Sequence, residues 1–314
     1  MISNDIDLAA DLLRQGEIVA IPTETVYGLA ANIYNNDAIE KIFIAKKRPK
    51  NDPLIVHIHD IAQLDEITKE VPEKAKILME KFWPGPLTFL LKRSDKISDD
   101  ITSGSELVAV RMPKHPITLE LLSKVNFPLA APSANLFQKT SPTTPQHVEQ
   151  QLGDKIDLIL DGGECNVGVE STIIGFDDED KNIINVFRLG GTSIEDIHKA
   201  TDCNIIIKAG SYNLPGNAKL HYSTNKPLVL GNINKLLEKF KDKKIGVLSF
   251  MKKYDVEYQI ILSETGSLTE AAKNLFKSMK ILDAMPVDMI IAEFVPDKFL
   301  GKAINDRLFR ASCK

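Results

Sequence analysis

The sequence has few of the residues that build disulfide frameworks and cysteine-based metal sites. Its three cysteines, Cys165, Cys203 and Cys313, are far apart, and no C-x-x-C pair occurs in the 314 residues. An odd number of widely spaced cysteines argues against a disulfide-stapled secreted scaffold and against a zinc site of the C-x-x-C type. We therefore expect a protein of a reducing compartment, the cytoplasm.

The sequence also lacks a large excess of charge and any long apolar run. Its 43 acidic and 39 basic side chains give a net charge of -4, so a site for a polyanion has to be local. The longest apolar runs, such as residues 205–207 and 289–292, are far shorter than the roughly 20 residues that cross a bilayer. The first 17 residues carry acids where a secretory signal is basic. We expect a soluble globular protein without a membrane partner.

The common signatures of nucleotide loops and of covalent catalysis are absent as well. The segment DGGECNVGVESTIIGF contains Gly162, Gly163 and Gly168, but it matches neither G-x-G-x-x-G nor G-x-x-x-x-G-K-[ST]. No Ser-His-Asp order, His-x-x-x-His pair or activated cysteine is evident. Catalysis would then depend on positioning and charge neutralisation, as in phosphoryl and nucleotidyl transfer.

Hydrophobic periodicity indicates a mixed α/β fold in the first two thirds of the chain. Apolar residues at helical spacing predict a helix from Ile6 to Leu13 and a second helix that begins near Asn36. Short apolar runs predict strands at 18–21, 54–58, 87–91, 107–110, 128–131, 158–160, 171–176 and 184–189. Because strands outnumber helices, a mixed or antiparallel sheet with helices packed on it is favoured over a doubly wound nucleotide fold.

The last third follows a different pattern. Strands at 227–230, 245–250, 258–262 and 289–292, with helices at 233–240, 268–282 and near 303–309, predict a small three-layer, Rossmann-like α/β domain. Before it lies a polar, turn-rich stretch with Tyr212, His221 and Tyr222, which is long for a passive connection. We predict a first domain at 1–208, a linker that acts as a lid at 209–226, and a second domain at 227–314.

Polar segments that follow predicted strands are candidates for a binding site. PTETVYGLA places Thr23, Glu24 and Thr25 after the first strand, where an ordinary capped turn is an equally good reading. Lys46 and Arg48 open a basic run that suits a phosphate clamp of exposed side chains, although a solvated charge run explains it too.

Further candidates come from later strands. His57 is equally compatible with a half-buried structural histidine and with a site residue. Arg111 ends a strand in VAVRMP, and Ser133, Asn135 and Ser141 follow another strand, where they could grip phosphate or ribose or only form a turn. The residues alone therefore indicate an anion-binding enzyme whose ligand is a nucleotide.

Taken together, these segments resemble the YrdC-like threonylcarbamoyl-AMP synthase family, in the long form with an extra C-terminal domain. PTETVYGLA, the K-x-R of Lys46 and Arg48, PLIVHI, FWPGPLT, VAVRMP, the S-x-N of Ser133 and Asn135, SPT and VESTI occur in the family's order. The linker keeps only Pro-Gly and His-Tyr of the family pattern. Asp52 stands where the family commonly has asparagine, and its carboxylate would repel phosphates unless a metal bridges them.

The resemblance implies a twisted mixed sheet with helices around a concave basic pocket. It also implies a reaction in which L-threonine, bicarbonate and ATP give threonylcarbamoyl-AMP and pyrophosphate, with Mg²⁺ accompanying ATP and no metal site fixed by a protein motif. A tRNA threonylcarbamoyl transferase would use the product downstream, and tRNA itself is a further potential partner. Two alternatives remain, an RNA-binding module without catalysis and a carbamoyl-transfer domain.

The resemblance also assigns residues. Lys46 and Arg48 are the expected catalytic residues, since they would neutralise the leaving pyrophosphate. The residues expected at the threonine end of the pocket are Thr25, His57, Arg111, Ala131 and Ser171. Those expected to contact ATP are Lys46, Arg48, Asp52, Leu107, Ser133, Asn135, Ser141, Arg188 and Tyr222.

Overall fold

The computed structural model describes residues 1–208 and 221–313. Most of the predicted lid, 209–220, therefore lies outside the described residues, whereas its end, from His221, lies within them. None of the described helices is long and apolar enough to cross a membrane.

Residues 1–208 form one mixed sheet of eleven strands. The strands are β1 (Ile2–Ser3), β2 (Val19–Ile21), β3 (Gly28–Asn32), β4 (Ile55–His57), β5 (Leu87–Lys92), β6 (Leu107–Arg111), β7 (Leu129–Ala130), β8 (Leu158–Leu160), β9 (Thr172–Phe176), β10 (Ile183–Arg188) and β11 (Asn204–Ile207). Their order across the sheet is β1-β8-β2-β3-β7-β4-β6-β5-β9-β10-β11. Parallel and antiparallel neighbours alternate irregularly, so the predicted mixed sheet is confirmed.

Helices cover both faces of this sheet. They are α1 (Ile6–Arg14), α2 (Asn36–Lys46), α3 (Leu64–Ile67), α4 (Glu73–Phe82), α5 (Asp99–Thr102), α6 (Pro116–Val125), α7 (Pro145–Leu152) and α8 (Ile194–Thr201). Along β2, Val19 and Ile21 pack with α1 and α6, whereas Ala20 belongs to the cluster on the opposite face. This alternation follows from the two-residue period of a strand.

The predicted helix starts are close to the observed ones because local capping fixes them. The Asp5 side chain accepts a hydrogen bond from the amide of Leu8 and begins α1. Asn35 rather than Asn36 caps α2, through the amide of Ala38. PTETVYGLA is not only a polar turn, because its last residues begin β3, a buried strand.

Residues 221–313 add a second, smaller sheet that is parallel throughout. It contains β12 (Leu228–Leu230), β13 (Ile245–Ser249), β14 (Tyr258–Ile261) and β15 (Met289–Ala292), in the order β12-β15-β13-β14. Helix α9 (Ile233–Lys239) packs on one face, and α10 (Leu268–Ala284) and α11 (Leu300–Ser312) pack on the other. The predicted three-layer arrangement is confirmed.

The two sheets are joined by a shared apolar cluster. Val26 and Val169 of the first part pack in the same cluster as Tyr222, Phe276 of α10 and Leu308 of α11. A β-carbon at Gly168 would lie 2.4 Å from the Lys273 Cα, so glycine is needed for the close approach of α10. The second part is thereby held directly against the loops that follow β2 and precede β9.

Candidate active site

A cleft opens where several strands of the large sheet end. Strands β4, β6 and β10 run in the same direction, and their last residues, His57, Arg111 and Arg188, all lie on its wall. The remaining lining residues are Thr23, Thr25, Val26, Gly28, Arg48, Ile55, Ala131, Pro132, Ser133, Glu170, Ser171, His221 and Tyr222. Three arginines against one glutamate make the wall basic.

The predicted clamp residues are buried, so the expectation of exposed side chains is wrong. Lys46 is 1% and Arg48 is 7% exposed. Lys46 Nζ donates to the carbonyl oxygens of Ser133 and Asn135, the latter at 2.6 Å. Burial lowers the pKa of Lys46 well below its ordinary value, and the neighbouring Arg48 lowers it further. Lys46 therefore fixes the backbone of the S-x-N loop from behind the cleft wall.

The buried Arg48 forms an ion pair with the partly buried Asp52. Arg48 Nη2 lies 2.8 Å from Asp52 Oδ1, and the same guanidinium donates to the carbonyl oxygens of Asp52 and Pro53. Burial raises the pKa of Asp52, and Arg48 opposes this rise. From the sequence, the Asp52 carboxylate was expected to repel phosphate. Its ion pair with Arg48 reduces this repulsion.

Arg111 is held by three groups at the end of β6. Nη2 lies 2.6 Å from Glu24 Oε2, Nη1 donates to Thr25 Oγ1 at 2.9 Å, and Nε donates to the carbonyl oxygen of Gly85 at 3.2 Å. A guanidinium has five N–H donors, so two or more remain for a ligand. Fixed in this way on the strand end, Arg111 lines the cleft as a cation that suits an anionic ligand.

His57 neighbours Arg111 on the adjacent strand and is buried, not half-buried. Its Nδ1 lies 3.1 Å from the carbonyl oxygen of Ile55. Burial, together with the positive charge of Arg111, lowers the pKa of His57 to about 3. The imidazole is therefore neutral at pH 7 and adds no charge to this end of the cleft.

This burial predicts a pH dependence of stability. The unfolded histidine has the ordinary pKa of 6.5, so below that pH the unfolded state binds a proton that the native state excludes until about pH 3. Between pH 4 and 6, His57→Gln should reduce the slope of unfolding free energy against pH by about 1.4 kcal/mol per pH unit. Urea titrations of both proteins across this range measure the slope, and equal slopes would contradict the burial of a neutral His57.

Ser171 lies between two groups of the wall, just before β9. Its hydroxyl is 2.7 Å from Thr88 Oγ1, and Arg188 donates from Nε to its carbonyl and from Nη2 to its hydroxyl, both at 3.0 Å. Burial lowers the pKa of Arg188 to about 10, so this guanidinium is still charged at neutral pH. Ser171 therefore has a fixed position next to a cation.

The end of the predicted lid forms part of the cleft wall. Tyr222 is 1% exposed, and its ring centroid lies 4.1 Å from that of His221 and 5.2 Å from that of Phe276. The Arg307 guanidinium lies over the ring, 5.4 Å from its centroid. Tyr222 has a φ of 61°, a conformation rare for a tyrosine, so the surrounding contacts hold it in place.

The structure brings most of the predicted site residues to one cleft. Those that line it are Thr25, Arg48, His57, Arg111, Ala131, Ser133, Ser171, Arg188 and Tyr222. Lys46, Asp52 and Ser141 lie behind the wall, each bonded to a lining residue. The Asn135 side chain does not line the cleft, and it donates to the carbonyl oxygens of Leu136 and Lys139. Leu107 starts β6, four residues or roughly 13 Å from Arg111 at the end of that strand.

Sequence reasoning missed the role of Glu170, although VESTI contains it. Glu170 lines the cleft and accepts a hydrogen bond from Ser141 Oγ at 2.5 Å. It also missed the burial of Lys46, for which a signal existed, because Ile39, Ile42, Phe43 and Lys46 share one face of α2 at helical spacing. Among the described residues, no group of three metal-ligating side chains is close enough to hold a metal ion.

Two family models divide the chain between them. The model for Sua5_yciO_yrdC, described as "Telomere recombination", matches residues 11–190. The model described as "Threonylcarbamoyl-AMP synthase, C-terminal domain" matches residues 192–313. The first match covers most of the large sheet, and the second covers α8 and β11 together with the whole of the small sheet.

Curated relatives and a solved structure match nearly the whole chain. The threonylcarbamoyl-AMP synthase of Pyrococcus abyssi is 41% identical over 325 residues, which cover 98% of this chain and 94% of the relative. The enzyme of that name from Bacillus subtilis is also 41% identical and covers 97% and 92%. The crystal structure of P. abyssi Sua5 complexed with L-threonine superposes with a TM-score of 0.90 at 40% identity, covering 98% and 94%. The chain therefore belongs to the threonylcarbamoyl-AMP synthase family, in the form that carries both domains.

Proposed function

We propose that the protein condenses L-threonine, bicarbonate or CO₂, and ATP to threonylcarbamoyl-AMP and pyrophosphate. The observation that carries this proposal is that Arg111 and Arg48 line one basic cleft at different points: Arg48 is bonded to Pro53, just before β4, and Arg111 lies opposite His57, at the end of β4. A cation fixed at each of two places suits two anionic substrates, a carboxylate and a polyphosphate. Full-length relatives that carry the name of this activity support the same assignment.

The threonine end of the cleft is assigned to Arg111 and its neighbours. The free donors of Arg111 are suited to the threonine carboxylate, and the hydroxyls of Thr25 and Ser171 supply short-range polar contacts. The neutral imidazole of His57 and the methyl group of Ala131 limit the space and charge there. The P. abyssi structure that contains L-threonine supports threonine as the amino acid.

The nucleotide end is assigned to Arg48, Arg188, Ser133 and Tyr222. The two arginines are placed to neutralise phosphate charge, and Lys46 fixes the carbonyls of the loop that carries Ser133. Mg²⁺ would enter as the ATP complex, since Mg²⁺ is commonly bound through substrate phosphates with only one or two protein carboxylates. In that complex it would withdraw charge from the phosphate oxygens.

The reaction needs two bond-forming steps at adjacent positions. Bicarbonate takes up a proton and loses water to give CO₂. The threonine amine attacks the carbon of CO₂ and loses a proton, which forms a carbamate. A carbamate oxygen then attacks the α-phosphorus, and the bond from that phosphorus to the α-β bridging oxygen breaks, so that this oxygen leaves as part of pyrophosphate. Arg48 stabilises the charge that grows on this leaving group, and the fixed wall holds both substrates in contact.

The direct test is substrate-dependent pyrophosphate release. The purified protein is incubated with ATP and Mg²⁺, with and without bicarbonate, and with threonine, serine or valine in turn. We expect pyrophosphate release only when threonine and bicarbonate are both present, together with an adenylate of the threonylcarbamoyl mass. Release that ignores threonine, or tRNA binding without any release, would contradict the proposal and favour the carbamoyl-transfer or RNA-binding alternative.

The proposal includes the cell compartment of the reaction and the enzyme that uses its product. The cysteines of the described chain are free thiols, which agrees with the reducing cytoplasm expected from the sequence. A mixed anhydride of a carbamate and a phosphate is readily hydrolysed, so we place an acceptor enzyme, the tRNA threonylcarbamoyl transferase, directly downstream.

A further inference from the structure

A buried arginine from the second domain reaches the wall of the cleft. Arg307 lies on α11 and is 0% exposed. Its Nε and Nη2 donate to Glu170 Oε2 at 3.1 and 3.0 Å, and its Nη1 donates to the carbonyl oxygen of Leu189. One guanidinium thus fixes two segments of the first domain, the loop before β9 and the residue after β10.

Glu170 connects this arginine to the cleft. Glu170 lines the cleft, and the second oxygen of its carboxylate, Oε1, accepts a hydrogen bond from Ser141 Oγ at 2.5 Å. Burial by itself would raise the pKa of Glu170, but the charges of Arg307 and Arg188 outweigh burial and hold it below its ordinary value. Glu170 is therefore an ionised acid in a cleft that has to admit a polyanion.

An unneutralised carboxylate at this position would oppose nucleotide binding. Like charges a few ångströms apart repel strongly where water is excluded. Arg307 is positioned to remove that repulsion, and it also fixes which oxygen of Glu170 is free to hold the Ser141 hydroxyl. Tyr222, predicted to contact the nucleotide, lies under the same guanidinium.

We propose that Arg307 is a positioning residue for the ATP half of the cleft: it neutralises and orients Glu170, and through Glu170 it fixes Ser141. The proposal rests on the proposed function, because it assigns Ser141 and Tyr222 to ATP rather than to threonine. It gives the C-terminal domain a defined part in the reaction, since that domain supplies the arginine. Arg307 itself is not among the residues that line the cleft.

The same helix provides a matched control. Lys302, one turn and a half earlier on α11, pairs with Glu195 of α8 at 2.7 Å. This pair also joins the two domains, but neither residue lines the cleft. Lys302 is partly exposed whereas Arg307 is buried, so a role that is only structural predicts a larger loss of stability in Arg307→Met with equal losses of ATP and threonine binding. The positioning role instead predicts a loss of ATP binding with threonine binding retained.

The experiment compares ATP and threonine separately in wild type, Arg307→Met, Lys302→Met and the double variant Glu170→Gln/Arg307→Met. KM values for both substrates come from pyrophosphate release, and ATP affinity is also measured by calorimetry without turnover. We expect Arg307→Met to weaken ATP binding by about tenfold or more, as for loss of a charge-assisted contact. The KM for threonine and both constants of Lys302→Met should change less than about twofold.

The double variant tests the electrostatic part and remains informative if Arg307→Met does not fold. It removes the charge of Glu170, and its glutamine oxygen can still accept a hydrogen bond from Ser141. Asp306, the second carboxylate beside Arg307, keeps its ion pair with Arg310 at 2.9 Å. We expect its ATP affinity to return to within about threefold of wild type, because the repulsive charge is gone. Equal loss of ATP and threonine binding, a similar loss in Lys302→Met, or a folded double variant that binds ATP tenfold more weakly than wild type would overturn the proposal.

The experiment tests the role of Arg307 separately from the proposed synthase activity. If wild type releases no pyrophosphate with threonine and bicarbonate, the proposed function is wrong, yet calorimetry still reports whether Arg307 controls ATP affinity. If wild type is active and Arg307→Met binds ATP normally, only the inference is wrong.

Discussion

Arg111→Ala is expected to raise the KM for threonine by about 100-fold or more, with a much smaller effect on the KM for ATP. Two charge-assisted hydrogen bonds from the guanidinium to a carboxylate, at about 1.5 kcal/mol each, account for a factor of this size. Steady-state pyrophosphate release with each substrate varied in turn measures the two constants. Equal increases in the KM values for threonine and ATP would contradict the assignment of Arg111 to the threonine end of the cleft.

The same substitution should also lower stability, because Glu24 loses its partner. Its carboxylate is 5% exposed and would remain buried without the cation that lies 2.6 Å from it. Removing one member of a buried ion pair costs about 3 to 5 kcal/mol, so kinetics should be measured well below the melting temperature. Arg111→Ala/Glu24→Gln serves as the control, since it should regain much of the stability and none of the threonine affinity.

Tyr222→Ala is expected to lower the free energy of unfolding by about 3 to 5 kcal/mol, because it removes a fully buried aromatic ring. The ring packs on Phe276 of α10 and beneath Arg307, so its loss opens a cavity where the two domains meet. The wall at the nucleotide end loses its support at the same time. Chemical denaturation measures the stability, and the KM for ATP should rise by about tenfold if the ring also contacts the nucleotide.

Tyr222→Phe is the matched control for this prediction. It keeps the ring and its packing, so stability should change by about 1 kcal/mol or less and the KM for ATP by less than about fivefold. Wild-type stability of Tyr222→Ala would contradict the packing seen here. An unchanged KM for ATP in that variant would remove Tyr222 from the nucleotide site while leaving its structural role intact.

The sequence predicted the fold class because its elements are fixed locally. Apolar residues at helical spacing and a capping Asp5 are enough to place α1, and short β-branched runs are enough to place β4 and β9. β3 was missed because its residues, GLAAN, follow a polar run and show no alternation of apolar and polar side chains. That strand is buried on both faces, a condition set by its neighbours rather than by its own pattern.

Resemblance to a family identified most residues of the cleft, but their physical roles needed the structure. The basic run at Lys46 and Arg48 suggested exposed charges, whereas the helical stripe of α2 turns Lys46 inward to bond backbone carbonyls. Arg48 and Asp52 were expected to act in opposite ways on phosphate, and the structure pairs them. Such pairings depend on distances between side chains, which a linear pattern does not contain.

By itself the sequence determined the mixed α/β class, the two-part organisation and the motifs that carry the site, because periodicity, capping and turn chemistry act between near neighbours. Only the tertiary structure decided which charged side chains of the cleft form ion pairs and which residues are their partners. Arg307 occupies a buried stripe of α11 together with Ile304 and Leu308, so its burial follows from spacing. Its partner Glu170 is 137 residues away in sequence, and only the packing of the second domain against the first brings the two charges together.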